Sequence, residues 1–108
     1  MALQPICRLG DSASGTCNIH GPWTGTITTA TSGFTCDGLP VARIGDSVLA
    51  SCGHTFFIDS GSSVCTGADG IAIARQGDTV SLTINPGGFP LFIGSGALTG
   101  GSSVGSSE

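Results

Sequence analysis

Two short cysteine–histidine pairs carry the chemistry of this 108-residue chain: Cys17-Asn18-Ile19-His20 and Cys52-Gly53-His54. Between them they hold both histidines of the protein. Two thiolates and two imidazoles make a complete four-coordinate donor set for Zn2+. Four protein ligands would leave no open position for water, so such a site holds structure together and does not hydrolyse. The competing reading is simple packing, because cysteine is among the most buried residue types and a histidine beside it can be an ordinary polar residue. Cys7, Cys36 and Cys65 have no histidine nearby and lie amid apolar residues, so core packing is expected for them.

Position in a repeat favours the metal reading. All three arginines open an Arg-x-Gly-Asp unit: Arg8-Leu9-Gly10-Asp11, Arg43-Ile44-Gly45-Asp46 and Arg75-Gln76-Gly77-Asp78. There is no lysine, so every cation sits at a repeat-equivalent point. The arginines are spaced 35 and 32 positions apart, a regular supersecondary period. Residues 37–46 and 69–78 match at six of ten positions, and residues 5–11 keep the second part of the same pattern. Cys17 and Cys52 both fall nine positions after their arginine, with His20 and His54 at twelve and eleven. The first two repeats therefore deliver one cysteine and one histidine each to equivalent places.

The same repeats must position those side chains with strands and turns. Nineteen glycines, runs of Thr, Ile, Val and Phe, and Asp-Gly pairs predict short strands joined by tight turns, an all-β class. Asp37-Gly38 and Asp69-Gly70 are hairpin-turn signals. The motif glycine permits a second reversal, its Asp accepts backbone N–H bonds, and its Arg pairs with a nearby carboxylate. The motif is accordingly read as turn architecture, since active sites are rarely triplicated. Thr26–Ala30, Thr55–Ile58 and Pro90–Ile93 are β-prone, and Asn85-Pro86-Gly87-Gly88, after Asp78 in the third repeat, reads as a loop without a metal ligand. One domain over residues 1–99 and a Gly/Ser-rich tail over 100–108 are expected.

Composition narrows the partners. Net charge is −4, and three dispersed arginines beside aspartates cannot form the cationic face that nucleic acid needs. No apolar run reaches the length of a membrane span. The N-terminal residues lack a secretory signal pattern, which predicts synthesis in a reducing cytoplasm and five cysteines present as thiols or ligands.

Pro5-Ile6-Cys7-Arg8, Pro40-Val41-Ala42-Arg43 and Ala72-Ile73-Ala74-Arg75, each followed by x-Gly-Asp, resemble the PAAR-repeat family, over about residues 5–98. Cys7 and Ala72 depart from its Pro-Ala-Ala-Arg tetrapeptide. The resemblance implies a compact β-rich cone with pseudo-threefold symmetry. It also implies one structural zinc near the apex, with iron as the alternative ion. Many relatives use three histidines and one cysteine; carried onto this chain the ligands are His20, His54, Cys52 and Cys17. The implied role is a non-enzymatic tip, one chain per trimer, on the β-helical spike of a contractile injection machine. It would touch the target outer membrane transiently and would not self-associate.

A phage tail baseplate, hence the virion, is the favoured setting, with a type VI secretion needle as the alternative. Ile71-Ala72-Ile73 and Leu91-Phe92-Ile93 are candidates for the spike-facing base or for the core. A small zinc enzyme is the competing class; it would need an open metal position and a general base, and the sole glutamate is Glu108.

Overall fold

Each Arg-x-Gly-Asp unit closes on itself. The Asp N–H donates to the Arg carbonyl three residues back, at 3.0 to 3.1 Å in all three copies. The Asp carboxylate in turn accepts the Arg backbone N–H, at 2.8, 2.9 and 2.7 Å for Asp11, Asp46 and Asp78. The reversal needs a positive φ at the third position, and Gly10, Gly45 and Gly77 have φ of 89°, 95° and 92°. Asp46 and Asp78 are buried, so those hydrogen bonds offset the loss of carboxylate hydration.

The computed structural model describes residues 4–36, 38–62, 65–68, 70–84, 86–101 and 106–107. Asp37 and Asp69, assigned above to turns, lie outside them, as do Asn85 and residues 102–105 and 108 of the tail. Ten strands run through the described residues. They are β1 (Gln4–Pro5), β2 (Ser12–Cys17), β3 (Gly21–Ile27), β4 (Thr35–Cys36), β5 (Leu39–Pro40), β6 (Ser47–Ala50), β7 (Thr55–Ile58), β8 (Thr79–Ile84), β9 (Leu91–Leu98) and β10 (Ser106–Ser107). A 3-10 turn, Pro86–Gly88, joins β8 to β9. Three antiparallel hairpins, β2–β3, β6–β7 and β8–β9, close edge to edge into a six-stranded barrel. The expected all-β class is thus what the structure has, and overall dimensions of 40 × 26 × 25 Å fit the expected small cone.

Every hairpin leaves its motif at one end of the barrel and reverses at the other. At the motif end, here the base, three backbones meet around one axis. The Cys7 N–H donates to the Ala74 carbonyl, the Ala74 N–H to Ala42, and the Ala42 N–H to Cys7, at 3.0, 2.9 and 3.0 Å. A second ring surrounds it: Leu9 N–H to Pro40, Ile44 N–H to Ala72, and Gln76 N–H to Pro5. Cys7, Ala42 and Ala74 are fully buried, which explains why only a small side chain stands before each arginine. The three repeats are therefore arranged about an axis and not in a line.

Inside the barrel the layers follow the same symmetry near the base. Ala13, Val48 and Val80, two residues past each motif Asp, are buried, as are Ile27, Ile58 and Leu98 on the returning strands. Higher up the symmetry fails. Trp23 stacks on Phe56 with ring centroids 4.7 Å apart, filling space that the facing strands leave open. Gly96 makes that room: a Cβ there would come 2.7 Å from Trp23 Cζ2.

Several local expectations differ from the structure. Leu91 and Phe92 are about half exposed at the apex end of β9, and only Ile93 is buried, so this segment is not part of the base. Cys36 and Cys65 are half-buried and stay outside the core cluster, because both lie on the short segments preceding the second and third motifs and not in the barrel. Cys7 is a core residue. Arg8 and Arg75 fork onto Asp11 and Asp78, whereas Arg43 Nη1 donates to the Ile44 carbonyl at 2.7 Å. Asp46 instead accepts from Thr29 Oγ1 and from the N–H and Oγ1 of Thr31.

Candidate metal centre

The apex is built from hairpins of three heights. β6–β7 is short and reverses through Ser51-Cys52-Gly53, with the Ala50 N–H on the His54 carbonyl at 3.0 Å. β2–β3 runs further and reverses through Asn18-Ile19-His20, with Cys17 paired to Gly21. The equal offset of the two cysteines from their arginines thus hides different local settings. Cys17 ends a strand and is buried; Cys52 lies in a turn and is half-buried. The histidines complement them, His20 in its turn and His54 just before β7.

The four side chains converge. One donor atom from each of Cys17, His20, Cys52 and His54 lies within 4.8 Å of all the others. Cys17 Sγ is 3.3 Å from His54 Nδ1 and 3.7 Å from His20 Nδ1, and Cys52 Sγ is 3.7 Å from His54 Nδ1. The imidazole rings are tilted at 45° with centroids 5.0 Å apart. Zinc bonds of about 2.3 Å to sulfur and 2.0–2.1 Å to nitrogen, set tetrahedrally, space neighbouring donors about 3.3 to 3.8 Å apart. These three sulfur–nitrogen separations fall in that range, and the donor set is the N/S combination that zinc favours, so the cluster could hold a metal ion.

Electrostatics prepare one ligand. Burial pushes the Cys17 thiol up from its ordinary value of 9.0, but the backbone N–H groups of Ile19 and His20, then the rings of His20 and His54, outweigh it and bring it down to about 6. A thiol so placed is largely thiolate at neutral pH, the form that binds metal.

The third hairpin flanks Cys17 on this cluster and, among its described residues, brings no ligand of its own. The Asn18 N–H donates to the Ile93 carbonyl at 2.7 Å and Asn18 Nδ2 to the Phe92 carbonyl at 3.2 Å. Gly94 faces Cys17 across β9 and β2, and a Cβ on it would stand 2.9 Å from the Cys17 Cα. Phe89, beyond the Pro86–Gly88 turn, is 77% exposed, and Ile19, Ile84, Leu91 and Phe92 also present apolar surface at this end. The exposed apolar rim escaped the sequence reading; Pro86-Gly87-Gly88-Phe89-Pro90 was its available signal, a turn too tight to bury its one aromatic.

Among the described residues the carboxylates of Asp11, Asp46 and Asp78 lie at the base, bound as above, and Asp59 there accepts a hydrogen bond from Thr79. No curated protein matches the chain. A family model does, that of the PAAR motif, over residues 20–82. This span runs from His20 through the second and third Arg-x-Gly-Asp turns, and the chain belongs to the PAAR motif family.

Proposed function

We propose that this protein is the metal-stapled point of a contractile phage tail, seated by its base on a trimeric β-helical spike, one chain per trimer. The PAAR motif family is a structural family of spike tips, in phage tails or type VI secretion systems, and supports a spike partner. The observation that carries the finer reading is the double ring of backbone hydrogen bonds linking residues 5–9, 40–44 and 72–76. It gives one polypeptide a base with three near-equal facets. A trimeric β-helix ends in three strand edges that would otherwise pair at random, and three facets on one chain can meet all of them at once.

The metal reading follows from the small size of the core. Cys17, His20, Cys52 and His54 would hold one Zn2+, which ties the first two hairpins together where the barrel is too narrow for apolar packing. When bound, the ion supplies folding energy on the order of 10 kcal/mol. The residues themselves do the rest: Cys17 presents a thiolate, Gly94 lets β9 approach it, and Asn18 fastens the third hairpin beside the site. Force would come from sheath contraction, and the protein would concentrate it on the target envelope without catalysing a reaction.

The test is co-purification with a trimeric spike protein, with mass measured by light scattering and metal by elemental analysis. One tip chain per three spike chains, and one zinc per tip, is the expected result. A tip that binds no spike, or that carries no metal when purified under reducing conditions, overturns the corresponding half of the proposal. Capture by a type VI spike in place of a phage spike would move the protein to the alternative setting.

A further inference from the structure

The three motifs differ in what lies beside the strand leading into them. In the second repeat β4 pairs with β5, just before Val41. In the third, Thr66 bridges Ala72, and the Gly67 N–H donates to the Ile71 carbonyl at 2.8 Å. In the first, the neighbour of β1 is β10, from the far end of the chain, with Gln4 opposite Ser107 and Pro5 opposite Ser106.

The equivalence extends to single hydrogen bonds. The residue after each returning core side chain meets the residue after each motif Asp: Thr28 with Ser47, Asp59 with Thr79, and Thr99 with Ser12. Two residues further on, Gly61 and Gly101 occupy matching places. The Gly61 carbonyl accepts from Arg75 Nη2 at 3.2 Å, and the Gly101 carbonyl from Arg8 Nη2 at 3.5 Å. Both glycines press on the incoming motif strand: a Cβ would stand 2.7 Å from the Ile73 carbonyl oxygen at Gly61, and 2.6 Å from Pro5 Cβ at Gly101. Between them the Gly100 carbonyl accepts the Cys7 thiol at 3.0 Å, covering a side chain on the threefold ring.

We infer that residues 99–101 and 106–107 form the third arm of the base, supplying to the first repeat what residues 28–36, and residues 59–62 with 65–66, supply to the other two. The surface offered to a threefold partner is then complete only when the two ends of the chain lie side by side. The structural half of this inference stands on the hydrogen bonds above; the partner half rests on the spike-cap reading.

The experiment compares the metal-loaded full chain with a form ending at Thr99 and with the full-length Gly101→Val variant. Trp23 fluorescence reports whether the barrel is intact, and iodoacetamide labelling followed by mass spectrometry reports Cys7. Half-buried Cys36 and Cys65 serve as internal references. In a folded truncated chain, labelling of Cys7 is expected to rise at least tenfold, with a lower Tm. If the truncated chain does not fold, Gly101→Val is expected to show the same rise in labelling in an intact barrel. Unchanged Cys7 protection and Tm in a folded variant overturn the arm. Mixing with a homotrimeric β-helical spike fragment then separates the two readings. Binding by the full chain alone supports both. Equal binding by full and truncated chains overturns the partner half. Binding by neither overturns the cap, while the labelling result still decides the arm.

Discussion

At the base, Cys7, Ala42 and Ala74 hold interchangeable positions and bond to one another in a closed ring; at the apex, the corresponding hairpins end at three heights, two with a cysteine and a histidine and one with Pro-Gly-Gly-Phe. The same repeat is obeyed at one end and abandoned at the other. The physical reason is what each end must satisfy. On the base axis every backbone group finds its partner in another repeat, so a change in one copy leaves an orphan in a second. At the apex the proposed ion would take four donors, and four cannot be shared equally among three hairpins. Repetition persists where the chain is its own neighbour and yields where one point is filled once.

That contrast can be broken first at the metal. Stripping the ion with a strong chelator should lower Tm by more than about 20 °C, since structural zinc contributes on the order of 10 kcal/mol and a domain this small loses about 4 °C per kcal/mol. Cys17→Ser should reproduce most of that loss in a melt followed by Trp23 fluorescence. A chelated protein with unchanged Tm would mean that the apex is held by packing alone.

The base should be next in sensitivity. Ala42→Leu places a branched side chain where three backbones meet, and about 3 kcal/mol of destabilisation is expected in urea titration. Cys7→Ala, which makes the three axial positions nearly alike, should cost under about 1 kcal/mol. Equal tolerance of both substitutions would argue against a crowded axis.

A pH titration sharpens the same point. Burial pushes the Cys7 thiol up to about 12, helped by the Asp11 and Asp78 carboxylates and opposed by Arg8. Because the folded value lies above the ordinary 9.0, the neutral thiol is the form that the fold favours. Its contribution is complete below pH 9 and declines towards pH 12 by about 1.4 kcal/mol per pH unit. The slope should vanish in Cys7→Ala. The smallest effect belongs to the exposed rim: Phe89→Ser should shift stability by less than about 0.5 kcal/mol, as befits a side chain 77% exposed.

The repeat made much of this legible in the sequence. Arg-x-Gly-Asp required a tight reversal, so the all-β class could be read from chemistry alone. The equal offset of Cys17 and Cys52 brought four donors into one prediction, and the structure gathers those four. What stayed hidden depended on contacts between distant segments. Core packing is the expectation for Cys7, Cys36 and Cys65 alike. Yet only Cys7, which stands before its motif arginine as Ala42 and Ala74 do, is sealed on the axis, and the other two are half-buried. Gly96 looks like any loop glycine until Trp23 is found against it. The Gly/Ser run after Leu98 has the composition of a loose end, yet Thr99, Gly100 and Gly101 meet Ser12, Cys7 and Arg8.

The ring at the base has a consequence for how the molecule is made. The Cys7 N–H waits for Ala74, and the Gln76 N–H reaches back to Pro5, so residues 5–7 find these partners only once residues 74–76 have been synthesised. Each hairpin can pair locally, but the ring that joins them closes only when all three are present. Assembly must come late and nearly all at once, the slow regime of proteins dominated by contacts between remote positions.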